Sequence, residues 1–114
     1  MTYEMKLKDK YFNLIKDGKK IYEIRLNDEK RQQINVGDII VFKKEPGLVE
    51  KIDTIVNDLI HFKSFEEMAN VLPLEKVGFS SKTVEEVVNV YHEFYSAEDE
   101  KKYGIVAIKV DVLK

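Results

Sequence analysis

The chain has 114 residues, 44% of them apolar and recurring from Phe12 to Leu113, which is enough for one buried core, too little for two, and incompatible with wholesale disorder. It has no cysteine, so a disulfide framework, a thiolate metal site and a thiol nucleophile are excluded. A net charge of −2 argues against coating nucleic acid by bulk electrostatics, and no apolar run approaches the roughly 20 residues needed to span a bilayer; with no signal-like stretch at residues 1–6, a cytoplasmic protein without membrane contact is expected.

In chain order, residues 2–7 alternate Tyr3, Met5 and Leu7 with Glu4 and Lys6, the period of a half-buried strand. Residues 8–17 place Tyr11, Phe12, Leu14 and Ile15 at helical spacing, and Gly18 stands where a left-handed C-cap ends the helix. Residues 20–26 read as a second strand, with Ile21, Glu23 and Arg25 on one face and Lys20, Tyr22, Ile24 and Leu26 on the other. A polar loop over 27–33 follows. The Gly37-Asp38 turn then leads into Ile39-Ile40-Val41-Phe42, a buried strand.

Pro46-Gly47 marks a turn, and the β-branched density of residues 48–62 predicts one long or bent strand. Ser64 with Glu67 opens a helix to about Val71 by the capping-box pattern, and Pro73 starts a short one that Gly78 ends. Thr83 with Glu86 caps the longest helix, which carries Val84, Val87, Val88, Tyr91 and Tyr95. Residues 96–103 form a charged, helix-compatible connector, and residues 105–112 a closing strand that is apolar on both faces, either central or barrel-closing. One α+β domain follows, residues 1–114, a small mixed barrel with helices at its ends.

Charge is uneven. Residues 6–32 hold nine basic side chains against five acidic ones, a local +4 that leaves −6 for the rest of the chain. Within that segment, Gly18-Lys19-Lys20-Ile21-Tyr22-Glu23-Ile24-Arg25 follows the pattern Gly-x-Lys-x-x-Glu-x-Arg, preceded by Tyr11-Phe12-x-x-Ile15 and followed by Val36-Gly37-Asp38-x-Ile40-x-Phe42. In these motifs, and in its closing stretch from Tyr95 to Val110, the chain resembles the ASCH family over nearly its whole length. The resemblance implies a PUA-like mixed β-barrel of about five to six strands with helices packed at its ends. It also implies a cleft beside the first helix into which the signature residues project, and an association with RNA, as a binding module or as a hydrolase or nuclease.

The signature residues support several chemistries. Lys20 offers a point charge for phosphate, or a base if desolvation lowers its pKa, against the plain alternative of one more exposed lysine. Glu23 and Arg25 lie two apart on a strand and share a face; Arg25 can fork onto a phosphate or base edge and Glu23 can accept a proton, or the two form a salt bridge that plugs one end of the barrel. Strict alternation separates Lys20 from this pair, so all three converge only if the strand starts after Lys20 or twists there. Gly18 counts as scaffold. Phe12 and Tyr22 read as core, which leaves Tyr11 as the aromatic to stack a base, and Ser80 is a candidate hydroxyl at the cleft or a loop and capping residue. His61 and His92 have no metal-ligand spacing, and neither metal nor cofactor is expected.

The expected function is binding of RNA or a nucleotide-like molecule. Turnover is the alternative, with Lys20 and Glu23 catalytic, either as a metal-independent ribonuclease or as an amidohydrolase on a modified nucleoside. Small ASCH proteins similar to this one include an amidohydrolase of acetylated cytidine, but that group uses a threonine where this chain has Glu23, and the nearest counterpart of its acidic residue falls near Ser80. A protein-interaction domain docking through the acidic second half ranks third.

Overall fold

The computed structural model describes all residues, Met1–Lys114, as a curled five-stranded sheet, a half-barrel, with five helices. The strands are β1 (Thr2–Leu7), β2 (Tyr22–Leu26), β3 (Ile39–Lys44), β4 (Lys51–Phe62) and β5 (Ile105–Val112), in the order β1-β3-β4-β5-β2. Only the β1·β3 pair is parallel. The helices are α1 (Asp9–Lys16), α2 (Phe65–Val71), α3 (Leu74–Val77), α4 (Val84–His92) and α5 (Ala97–Tyr103), with a 3₁₀ turn at Arg31–Gln33 inside the expected loop. No helix is long and apolar enough to cross a membrane.

β5 lies between β4 and β2, which accounts for its apolar character on both faces. Val106, Ile108 and Val110 join Met5, Phe12, Ile15, Ile40 and Phe42 in a core under α1, while Ile105 and Ala107 join Ile24, Phe65, Met68 and Val87 in a second core under α2 and α4. Each fully buried side chain of this size contributes about 1.5–3 kcal/mol relative to exposure. β4 serves both cores. It bends at a register shift between Val56 and Asp58, and the apolar phase changes there: Ile52 and Val56 belong to the first core, Phe62 to the second.

Local signals set most of the boundaries. The Thr83 side chain accepts from the Glu86 amide while Glu86 accepts from the Thr83 amide, a complete capping box. At α2 the arrangement is one-sided, since Ser64 accepts from the Glu67 amide but the Glu67 carboxylate accepts from Lys63 instead. Helix α4 ends at His92, so Tyr95 falls in the turn beyond it. β4 starts at Lys51, later than the β-branched run suggests, and Val49 stays exposed. The charged connector at 96–103 is mostly helix, capped by Ser96.

The order leaves β1 and β2 as the two edges of the sheet. An unpaired edge exposes a row of backbone donors and acceptors that a fold must cover or occupy. Here curling turns the edges toward each other, and the side chains at that seam build the site described next.

Candidate functional site

Lys20 belongs to a turn and not to the strand. Gly18 adopts φ +77 just after α1, the amides of Lys19 and Lys20 both donate to the Leu14 carbonyl, and the Ile21 amide donates to Lys76. β2 begins only at Tyr22, so the alternation that puts Lys20 opposite Glu23 does not apply. Lys20, Glu23 and Arg25 therefore converge. Lys20 Nζ lies 3.2 Å from Glu23 Oε1, and Arg25 Nε lies 2.7 Å from Glu23 Oε2.

The triad is buried, with Lys20 3% and Glu23 6% exposed. Lys20 Nζ also donates to the carbonyls of Tyr22 (2.5 Å) and Val77 (2.6 Å). Three oxygens thus take the three N–H groups of an ammonium, which fixes this lysine in place and leaves it no donor for a ligand. Burial pushes the Lys20 pKa down, and the Glu23 charge offsets this only in part. Burial likewise pushes the Glu23 carboxyl up, but the charges and hydrogen bonds of Lys20 and Arg25 outweigh it and hold the group below its ordinary range.

Arg25 is the member with capacity to spare. Besides Nε on Glu23, its Nη2 donates to the Lys6 carbonyl of β1 at 3.1 Å, so one guanidinium spans the seam between the sheet edges. Nη1 has no protein partner, and the side chain retains 16% exposure.

Above the triad lies a cleft of about 220 Å³ lined by Lys6, Leu7, Lys8, Tyr11, Lys20, Glu23, Ile24, Arg25, Glu45, Phe79, Val90, Tyr91, Phe94 and Tyr95. Its aromatic wall is a set of rings packed on one another. Tyr91 stacks on Phe65 at 4.7 Å and meets Phe79 edge-on at 5.7 Å, Tyr95 lies against Phe65 at 5.6 Å, and Phe79 packs edge-on to Tyr11 at 5.9 Å. At the rim, Lys8 Nζ sits 4.7 Å above the ring of Phe94, which is 56% exposed.

Gly78 closes the back of the site. Its φ is +111, and a Cβ there would stand 3.1 Å from Lys20 Cδ and 3.3 Å from Tyr11 Cδ1, so both backbone conformation and space call for glycine.

Of the residues singled out from sequence, Lys20, Glu23, Arg25 and Tyr11 come together in this cleft. Ser80 does not join them: it lies on an exposed bend outside the lining, and Thr83 does the helix capping. Phe12 is fully buried and Tyr22 packs against the second core. His92 Nε2 instead meets Glu100 Oε1 at 2.7 Å, away from the cleft. No three His, Asp or Glu side chains are grouped to hold a metal ion.

Sequence reasoning missed Phe79, Tyr91, Phe94 and Tyr95 as cleft residues. The signal was the aromatic cluster Tyr91-His92-Glu93-Phe94-Tyr95, too dense for one buried helix stripe.

The model of the ASCH domain matches residues 5–114. No curated protein matches the chain. Among solved structures, hypothetical protein PH0355, a crystal structure, is 46% identical with a TM-score of 0.89 over 99% of this chain and 100% of that one. Protein PF0455 from Pyrococcus furiosus, solved by NMR, is 43% identical with a TM-score of 0.80 over 100% and 99%. An ASCH domain from Lactobacillus crispatus is 15% identical with a TM-score of 0.69 over 97% and 79%, a likeness of fold alone.

Proposed function

The chain belongs to the ASCH domain family, and from that premise we propose that it binds single-stranded RNA or a nucleotide-like ligand in the seam cleft. One observation carries the reading: the Arg25 guanidinium, pinned by Glu23 and the Lys6 carbonyl, keeps Nη1 free beneath a wall of aromatic rings. A fixed donor beside half-buried aromatic rings suits a single-stranded nucleotide. Lys6 and Lys8 at the rim, in the basic segment, supply the phosphate attraction.

Turnover has less support. A phosphate contact or proton transfer at Lys20 would need one of its three hydrogen bonds broken inside a sealed site, and both Glu23 oxygens are committed to cations.

The test is fluorescence anisotropy with a short labelled single-stranded RNA across a salt series, for the wild type and Arg25→Ala, alongside an acylated-cytidine panel assayed for product. Salt-sensitive binding, weakened about tenfold or more by Arg25→Ala with no product, is expected. Equal affinity of a folded Arg25→Ala protein refutes the assignment, and product formation replaces binding with catalysis.

A further inference from the structure

The side chains gathered at the floor of the cleft do not balance. Lys20 and Arg25 carry two positive charges and Glu23 one negative, so the cluster is left with a net +1, carried at its open end by the half-buried Arg25. A partly desolvated cation attracts an anion more strongly than one in open water. No other carboxylate makes an ion pair with this cluster; the nearest in the lining, Glu45, sits exposed among the rim lysines.

Hydroxyls tell the same story. Of the six tyrosines, only Tyr3 and Tyr103 place the hydroxyl in a hydrogen bond. Tyr11, Tyr91 and Tyr95 all line this cleft, and none has a hydrogen-bond partner. All three rings are half-buried while their hydroxyls stay accessible, so each hydroxyl is free to bond a ligand. They lie within the field of the triad: after burial itself, the Glu23 carboxylate is the main influence pushing Tyr11 and Tyr91 up, which keeps both hydroxyls protonated and able to donate.

Resting on the reading of the cleft as a nucleotide site, we propose that its floor is an oxyanion pocket in which Arg25 Nη1 and the hydroxyls of Tyr91 and Tyr95, with Tyr11 beside them, hold a terminal phosphate group. The floor is rich in donors and its fixed acceptors are spent, because both Glu23 oxygens face cations. A tetrahedral oxyanion has acceptors in every direction and takes several such donors at once. The group is terminal because the Arg25 bridge to the Lys6 carbonyl crosses the seam and closes the cleft below. A chain end can reach this floor directly, whereas a phosphodiester has to run across the mouth of the cleft above it.

The discriminating measurement is calorimetric titration of the whole protein with one short RNA sequence in three forms: 5′-phosphorylated, 3′-phosphorylated, and with hydroxyls at both ends. Nucleoside monophosphates and inorganic phosphate serve as competitors. Binding about tenfold tighter for one phosphorylated end than for its hydroxyl counterpart is expected, with competition by inorganic phosphate. The double variant Tyr91→Phe/Tyr95→Phe keeps both rings and should lose most of that preference.

The sources separate cleanly. RNA preferred over the mononucleotide assigns the phosphate to an RNA end, and the reverse assigns it to a free nucleotide. Equal binding of phosphorylated and hydroxyl ends overturns the pocket while leaving the RNA reading intact. Binding of phosphate and monophosphates without any RNA supports the pocket and removes the RNA reading. A preference that survives in the double variant also overturns it.

Discussion

Replacing Glu23 by Gln keeps the volume of the side chain and removes the one negative charge that Lys20 and Arg25 share. Both ion pairs are lost, at 3.2 and 2.7 Å, the amide oxygen still accepts from one cation only, and two cations remain beside each other in a site where Lys20 is 3% exposed. Breaking a buried pair by deleting one partner costs about 3–5 kcal/mol, and the lower end applies here because Lys20 keeps two carbonyl acceptors and Arg25 keeps the Lys6 carbonyl. A loss of about 3 kcal/mol in urea unfolding at pH 7 is therefore expected, or about 10 °C in Tm for a domain of this size.

The pH dependence gives the sharper check. The folded pKa of Glu23 is lowered, so its contribution is fully present above the ordinary value of 4.5 and is lost as pH falls through the lowered folded value. Wild type and variant should converge there. The folded pKa of Lys20 is lowered from 10.5, and without Glu23 it falls further; as pH rises between those two folded values, the variant relieves its buried charge before the wild type does. The gap should thus be widest near neutrality and narrow on both sides. A gap below 1 kcal/mol at pH 7, or one independent of pH from 4 to 10, would refute the picture of a triad held together by charge.

Four further outcomes follow from particular positions. Gly78→Ala places a Cβ on a φ of +111 and 3.1 Å from Lys20 Cδ, and should cost about 2 kcal/mol in denaturant unfolding, more than the 1 kcal/mol or so of backbone strain alone. Glu100→Gln weakens an acceptor that takes the Phe65 amide at 2.7 Å and His92 at 2.7 Å; about 1–2 kcal/mol of stability should go, with faster hydrogen exchange at the Phe65 amide as the local reporter. Thr83→Ala removes half of the complete capping box of α4 and should cost about 1 kcal/mol, whereas Ser80→Ala on its exposed bend should fall within about 0.5 kcal/mol of wild type in both stability and RNA affinity.

Element types were legible wherever a local period or cap was strong: the alternation in β1, the two-faced apolar run of β5, and the Thr83–Glu86 pair all predict what is observed. The faces of β2 were less so. Alternation holds only inside a strand, and no residue between Gly18 and Tyr22 announces that backbone bonds to Leu14 and Lys76 keep the chain in a turn through Lys20. The motif names the three charges, but their convergence depends on those long-range bonds. The aromatic wall was legible only as an excess of rings near the end of α4, for a related reason. Tyr91 and Tyr95 fit the apolar stripe of α4, and only the position of that helix end against the β1–β2 seam turns their rings toward a cleft.

The seam itself explains why charge stands where a strand pairing would otherwise be. Closing the barrel would join β1 and β2 by a ladder of backbone hydrogen bonds and leave no room between them. The sheet stops at five strands, and the Arg25 guanidinium makes the crossing with a single bond to Lys6. A side chain can do this and still face outward, because a planar guanidinium has five donors and only two are used on the protein. Glu23 then has to sit behind it to fix its orientation, and Lys20 behind Glu23 to neutralise that carboxylate, each step buried by the next. The positive charge left over is displaced to the open end of the chain of contacts, at Arg25, where the aromatic residues surround it. The architecture thus couples an unclosed barrel to a charged cleft: any substitution that let β1 and β2 pair directly would remove the space and the need for the triad together.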